Sequence, residues 1–449
     1  MRYIPNTDAD IRNMLSDIHI GNVEELFEIV PSHFLLQEDL KLPNALSEYE
    51  LLSHMMRLSE ENANARDYRF FIGGGFYHHY IPSVVRHLVS RSEFYTSYTP
   101  YQPEVSQGTL QAMFEYQTLV SMLLGMDVSN ASLYDGATSV AEAVLMAVRL
   151  KKSMRIAVSK CVHPEYRKVI ETYCSGHEHE IIEIPYDENG GTDMGRFESA
   201  VAGGVSCVVL QSPNFFGIIE DLGKYEKIIH ENDALFVAAF SEPLAFGVLK
   251  PPGDFGADLC CGEGQSLGIP MGFGGPSLGI LTARKELVRN MPGRIVGQTV
   301  DQNGKQAYVL TLSAREQHIR REKAKSNVCT NQGLCALMAA VYLSGLGKTG
   351  LRRVSTVCNA RAEYAKEKIA RLGAVKLRFS SPTFNELVIQ VEADSKTLEK
   401  RLIEKKIIGG IQMEKFYPEL KNCILLTFTE TNTAEDIDIL CDVLNRSVK

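Results

Sequence analysis

Residues 205–240 contain Val205-Ser206-Cys207-Val208-Val209-Leu210-Gln211, then a helical stretch over 222–231, then Ala234-Leu235-Phe236-Val237-Ala238-Ala239-Phe240. Two short apolar strands joined through a helix imply a crossover connection. The alternation extends upstream through a helix over about 138–150, a strand over 155–159, a helix over about 164–173, a strand over 180–185 and a short helix near Arg196. Strands alternating with helices imply a mostly parallel sheet covered on both faces, so a large α/β domain is expected. Downstream, 259–264 and 277–283 read as two more strands. Between them lies the turn Gly268-Ile269-Pro270-Met271-Gly272-Phe273-Gly274-Gly275-Pro276.

Working outward, 107–124 carries Leu110, Met113, Phe114, Leu119, Met122 and Leu123 at helical spacing and ends at Gly125, a good C-cap residue. The three expected regions are an N-terminal helical arm over 1–60, the large α/β domain over 61–325 and a smaller C-terminal α+β domain over 326–449. The boundary is placed inside a long helix over 315–346. The last region carries strands near 376–379, 386–391 and 423–428 and helices near 361–372, 395–405 and 433–445.

Length and charge narrow the function classes. The chain has 449 residues, room for two or three domains of roughly 150 residues each. With 45% hydrophobic and 23% charged residues it is neither disordered nor collagen-like. Lys plus Arg total 47 against 55 Asp plus Glu, a net charge of -8, which gives no electrostatic footprint for nucleic acid. The cluster Arg320-Arg321-Glu322-Lys323-Ala324-Lys325 reads as a solvated helix face. Ten cysteines include no Cys-x-x-Cys pair, which fits buried, reduced thiols in the cytoplasm. No apolar run approaches the ~20 residues that span a bilayer, and no leader pattern precedes Asp10.

Three places could carry chemistry. In Tyr134-Asp135-Gly136-Ala137-Thr138-Ser139 a turn of small residues feeds a helix, so the free N–H groups at Gly136, Ala137 and Thr138 suit a phosphate; an ordinary helix cap is the competing reading. His163 precedes Pro164 just after a strand, where an imidazole could stack over a flat ligand, although a lone histidine is more often structural. Asn214, in Ser212-Pro213-Asn214-Phe215-Phe216-Gly217, could hydrogen-bond a ring substituent or simply make a turn.

Together with Gly73-Gly74-Gly75-Phe76-Tyr77, Tyr98-Thr99-Pro100-Tyr101-Gln102-Pro103-Glu104 and Arg315-Glu316-Gln317-His318-Ile319-Arg320-Arg321-Glu322-Lys323-Ala324, these motifs resemble the P-protein of the glycine cleavage system. That family is glycine dehydrogenase (decarboxylating), with a fold-type-I pyridoxal-phosphate-transferase-like large domain. The length and motifs resemble subunit 1 of its two-subunit form.

The resemblance implies a lysine that anchors the cofactor and an acid that holds its ring nitrogen. Counting back from Pro270 puts Gln265 at the lysine position, and counting back from Gly253-Asp254 puts Ala239 at the acid position. The expectation is therefore a vestigial site at Gly136, Ala137, Thr138, His163 and Asn214, with pyridoxal phosphate on a homologous lysine-bearing partner, subunit 2. The resemblance further implies a heterotetramer that decarboxylates glycine and passes the aminomethyl group to lipoylated H-protein. Tyr98, Tyr101, Gln102, Tyr77 and His78 are the residues expected to be lent to the partner's site, and no metal is expected. Two alternatives stay open: a purely structural or regulatory subunit, and an independent pyridoxal-phosphate lyase. Against the second, Lys250 is the only lysine between Ile228 and Arg284.

Overall fold

In the computed structural model, which describes residues 5–36, 38, 40–96, 99–176, 178–373, 375–392 and 394–446, the apolar runs become the middle of a seven-stranded sheet. Its strands are Val128–Ser129 (β1), Arg155–Ser159 (β2), Glu180–Ile184 (β3), Cys207–Gln211 (β4), Leu235–Phe240 (β5), Leu259–Glu263 (β6) and Gly279–Ala283 (β7). They lie side by side as β1-β7-β6-β5-β4-β2-β3. All neighbours from β6 through β3 run parallel, whereas β7 is antiparallel to both β6 and β1. The large domain is thus α/β with a mainly parallel sheet.

Side chains alternate across that sheet with period two. Val208, Leu210, Phe236, Ala238 and Cys260 pack on one side with Val120 and Leu124 of the helix Gln107–Leu124 (α1). Cys207, Val209, Val237, Ala239 and Cys261 pack on the other with Val140 and Val144 of Gly136–Lys151 (α2) and Tyr166 of Pro164–Cys174 (α3). Both faces are dry, and each fully buried Val, Leu or Phe contributes roughly 1.5–3 kcal/mol. The adjacent Cys260 and Cys261 therefore point into separate cores. α1 ends where Gly125 turns left-handed at φ 66, a conformation that costs glycine nothing.

The charged stretch 315–346 departs from its expected form. In place of one long helix the chain makes three short turns, Ser313–Arg315, Gln317–Arg320 and Arg321–Lys323, and the long helix begins only at Gly333 and ends at Ile369 (α4). Leu312 and Arg321 take positive φ of 56 and 52, which no continuous helix accommodates. Arg315 donates from Nη1 to the carbonyls of Met291 and Gly293, both at 2.6 Å, so tertiary bonds fix this segment. A hairpin that the sequence did not suggest, Ile295–Val300 with Gln306–Thr311, precedes it.

α4 is, among the described residues, the one helix long and apolar enough to cross a membrane. It is a core helix: Ala336, Ala339, Tyr342 and Leu343 join the cluster under the sheet, and Gly347 interrupts its helical geometry. Beyond it, Val375–Leu377, Glu386–Val391, Cys423–Thr427 and Ile411–Gln412 form an antiparallel sheet in that order. Ser395–Glu404 and Ala434–Arg446 pack there around Ile389, Leu426 and Leu440.

The chain divides by contacts into a unit ending at Ala63 and a second beginning at Asn64. In the first, the helices Asp8–Asp17 and Glu48–Glu60 each open on a capping box, Thr7 with Asp10 and Ser47 with Glu50. Neither helix contains a buried residue.

Candidate functional site

α2 starts at Gly136, two residues earlier than its apolar pattern suggests, because Asp135 caps it. The Asp135 carboxylate accepts from Thr138 N at 2.7 Å while the Thr138 hydroxyl answers Asp135 N at 3.2 Å. A second carboxylate sits beside it. Glu263, the last residue of β6, accepts from Gly136 N at 3.0 Å with one oxygen. With the other it accepts from Gly264 N, Gln265 N and Leu278 N at 2.9–3.1 Å. The position expected to suit a phosphate therefore holds a carboxyl group that belongs to the chain itself. Burial pushes the Glu263 pKa up to about 7, against the pull of these N–H donors.

Gln265 stands on the same turn and is almost fully buried. Its oxygen accepts from Tyr77 N at 2.9 Å and its amide nitrogen donates to Ile269 O at 2.6 Å. A lysine could do only the second, since an ammonium has no acceptor. Ala239 is buried on β5 in the core with Tyr166. Glu242, the nearest acid along the chain, accepts from Leu244 N at 3.1 Å and pairs with His79 Nε2 at 2.9 Å.

The expected ring slot is also filled. His163 stacks on Tyr166, with centroids 4.7 Å apart, and meets Phe215 edge-on at 4.8 Å. Its Nε2 bonds Gly74 O at 2.7 Å, and burial pulls its pKa below the usual value. Asn214 is wholly buried and acts as a turn residue, donating to Gly190 O and Glu220 and accepting from Phe216 N and Ile218 N. Gly136, Ala137, Thr138 and His163 do share one region with Gln265 and Ala239, but protein atoms occupy it.

The loop after Gly73 is woven into the C-terminal sheet. Tyr77 is fully buried, its hydroxyl donating to Glu386 at 3.0 Å and lying 3.2 Å from Ser241 Oγ. Burial pushes the Glu386 carboxyl up to about 7, against bonds from Gly74 N, Thr427 and Tyr77. His78 is half-buried against Thr431. His79 lies between Glu430 and Glu242 at 2.7 and 2.9 Å; burial opposes its charge, yet the two carboxylates hold its pKa well above the usual imidazole value. Cys358 adds a bond to Glu430, and these ligand-type atoms of His79, Cys358 and Glu430 lie within 4.8 Å of one another. Each is already satisfied by a proton shared with its neighbour.

Of the loop expected to reach outward, Tyr98 lies outside the described residues. Tyr101 is 55% exposed; its ring lies under the Arg294 guanidinium at 5.5 Å and edge-on to His318 at 6.2 Å. Gln102 is exposed at the start of the turn Pro103–Val105. Sequence reading missed Glu263, Tyr166 and Glu386. Only Glu263 left a signal, an acid ending an otherwise apolar strand before a glycine.

Pyridoxal phosphate does not fit this chain's own residues. Gln265 cannot form an imine, Ala239 offers no acid, Glu263 occupies the helix end, and Tyr166 and Phe215 cover His163.

Comparison with known proteins identifies the family. The family model for the glycine cleavage system P-protein matches residues 1–444. A probable glycine dehydrogenase (decarboxylating) subunit 1 of Desulfitobacterium hafniense is 49% identical over 98% of both chains. Its counterpart in Desulfotalea psychrophila is 47% identical over 98% of this chain and 97% of its own. The crystal structure of a glycine decarboxylase (P-protein) of the glycine cleavage system, in inhibitor-bound form, superposes with a TM-score of 0.90 at 42% identity, each chain covered in full. A sphingosine-1-phosphate lyase of Burkholderia pseudomallei, at 14% identity and a TM-score of 0.65, shares the fold alone. The fold is that of the fold-type-I pyridoxal-phosphate enzymes, and the chain belongs to the glycine cleavage system P-protein family, where it resembles the proteins named subunit 1.

Proposed function

We propose that this chain is the subunit of a glycine-decarboxylating P-protein that carries no cofactor of its own. Its partner is a homologous subunit that bears the lysine and holds pyridoxal phosphate, in a heterotetramer working in the cytoplasm. The assembled enzyme decarboxylates glycine and passes the aminomethyl group to lipoylated H-protein. The observation that carries this reading is the Glu263 carboxylate seated on Gly136 N, with Gln265 and Ala239 where a lysine and an acid are needed.

The chain's contribution is then made through surface it can present to a neighbour. Tyr101 is the best placed, an exposed ring steadied by Arg294 and His318. Tyr77 acts at one remove: its buried hydroxyl ties the loop 73–80 to Glu386. The ten free cysteines, all buried except Cys329, suit a reducing compartment.

Two measurements test the proposal. The purified chain is incubated with pyridoxal phosphate, reduced with borohydride and mapped by peptide mass; no stoichiometric adduct is expected. The chain is then mixed with the homologous subunit, and glycine-dependent carbon dioxide release is assayed with lipoylated H-protein. Activity only in the mixture supports the assignment, while a single-lysine adduct with a glycine-sensitive visible band in this chain alone overturns it.

A further inference from the structure

The broken segment after Arg315 does more than depart from a helix. It folds Arg320, Lys323 and Lys325 around a pocket of about 320 Å³ that Arg289 and Arg315 also line, with no carboxylate in the lining. Five cations so placed repel one another. Among the described residues none of the five forms an ion pair within 4.0 Å.

The hydrogen-bond partners they do have are neutral. Lys325 Nζ bonds Asn290 Oδ1 at 2.6 Å and Arg320 Nε bonds Ala314 O at 2.9 Å, so their charge is left uncompensated. Arg315 is the most telling. Its Nη1 is anchored on two backbone carbonyls, whereas its Nε and Nη2 are buried without a hydrogen-bond partner. A buried donor left unpaired is costly, more so when it carries charge. Glu316, the next residue, makes no ion pair with Arg315 within 4.0 Å, but it lines an adjoining cavity with Arg315 and Lys325 and its charge partly offsets that of Arg315. The chain as a whole carries a net charge of -8, so this cluster of cations runs against its overall balance.

We propose that this pocket binds a phosphate-class oxyanion, free or as the terminal group of a small molecule. Guanidinium groups can give an oxyanion paired N–H donors, and lysines add point charges around it. The volume lies at the small end of ligand pockets and accepts a phosphate with a short substituent. The site is separate from Gly136 and Glu263 and does not depend on the decarboxylase assignment.

The test uses the full chain and isothermal titration with inorganic phosphate, glycerol 3-phosphate and acetate, each at low and high sodium chloride. One saturable site for phosphate is expected, weakened by salt. Arg289→Met and Lys323→Met change exposed residues that carry no structural bond, so folding is retained. Each is expected to weaken phosphate binding about tenfold, the loss of one charge-assisted contact. Arg315→Lys, which keeps the charge but loses the fork, should weaken it as well. Tighter binding of glycerol 3-phosphate would identify the terminal group of a small molecule; equal or weaker binding would identify the free anion. No saturable binding at millimolar phosphate overturns the proposal. So does binding that acetate matches, or that survives both methionine substitutions unchanged.

Discussion

Gly136→Ala puts the closed cofactor position to a direct test. A Cβ on Gly136 would fall far inside van der Waals contact of Tyr166 Oη and 2.8 Å from both Tyr166 Cζ and Glu263 N. Forcing such a contact into a packed core costs about 1–3 kcal/mol, and weakening the 3.0 Å bond from Gly136 N to Glu263 adds about 1 kcal/mol. Against this, alanine in a helix gains roughly 0.5–1 kcal/mol over glycine. The net expectation is a loss of about 1–3 kcal/mol. Tyr166→Phe should cost little by itself, because that hydroxyl is buried without a partner, and it removes the worst of the clash. The double variant should therefore recover at least about 1 kcal/mol, a coupling in the usual range for touching residues. Urea unfolding followed by far-UV circular dichroism on the four proteins measures the cycle. Should Gly136→Ala be as stable as the parent, or the coupling fall below about 0.5 kcal/mol, Tyr166 does not fill the slot and the closed-site argument fails.

Gln265→Lys should not restore cofactor binding: it leaves Tyr77 N without its acceptor and buries a charge, so the melting temperature should drop with no new visible absorption band; a stoichiometric borohydride-trapped adduct would contradict this. Glu386, with an unfolded value near 4.5 and a folded value of about 7, is protonated in both states below 4.5. Between 4.5 and 7 only the unfolded chain ionises, so stability is lost as pH rises through that window, by about 3 kcal/mol at 1.36 kcal/mol per unit. Glu386→Gln should flatten that slope, and urea midpoints of the two proteins that run parallel from pH 4.5 to 8 would refute the assignment. Tyr101→Ala, at an exposed ring, should leave the isolated chain within about 0.5 kcal/mol of the parent while lowering glycine decarboxylation by the reconstituted complex roughly tenfold or more. A loss of assembly with unchanged turnover per complex would make Tyr101 an interface anchor instead.

Much of the fold was legible because it rests on local pattern. The helix over 107–124 and the strand over 386–391 match the structure residue for residue, since their apolar spacing and flanking breakers are contained within the segment. Neighbouring strands shift by one or two residues at their ends, where pairing decides the limit. Within the helix expected over 315–346, residues 333–346 are helical, but 315–332 departs for the opposite reason. Its charges and residue types suit a helix, but the carbonyls of Met291 and Gly293 claim Arg315 and the backbone turns left-handed at Leu312 and Arg321. Similarly, the sequence leaves both a ligand-binding and a structural role open for His163 and Asn214, and packing shows that Tyr166, Phe215 and four hydrogen bonds already engage them.

By itself the sequence determined the α/β alternation, the family, and the identities of Gln265 and Ala239 on which the proposed loss of the cofactor rests, because residue identity and short-range periodicity are properties of the chain alone. Only the tertiary structure decided what surrounds them. Glu263 reaches Gly136 across 127 positions and Gln265 reaches Tyr77 across 188. Arg289 joins Arg315 and Lys325 around one pocket in the same way. Such meetings depend on how strands and turns stack in space, and no local pattern encodes them.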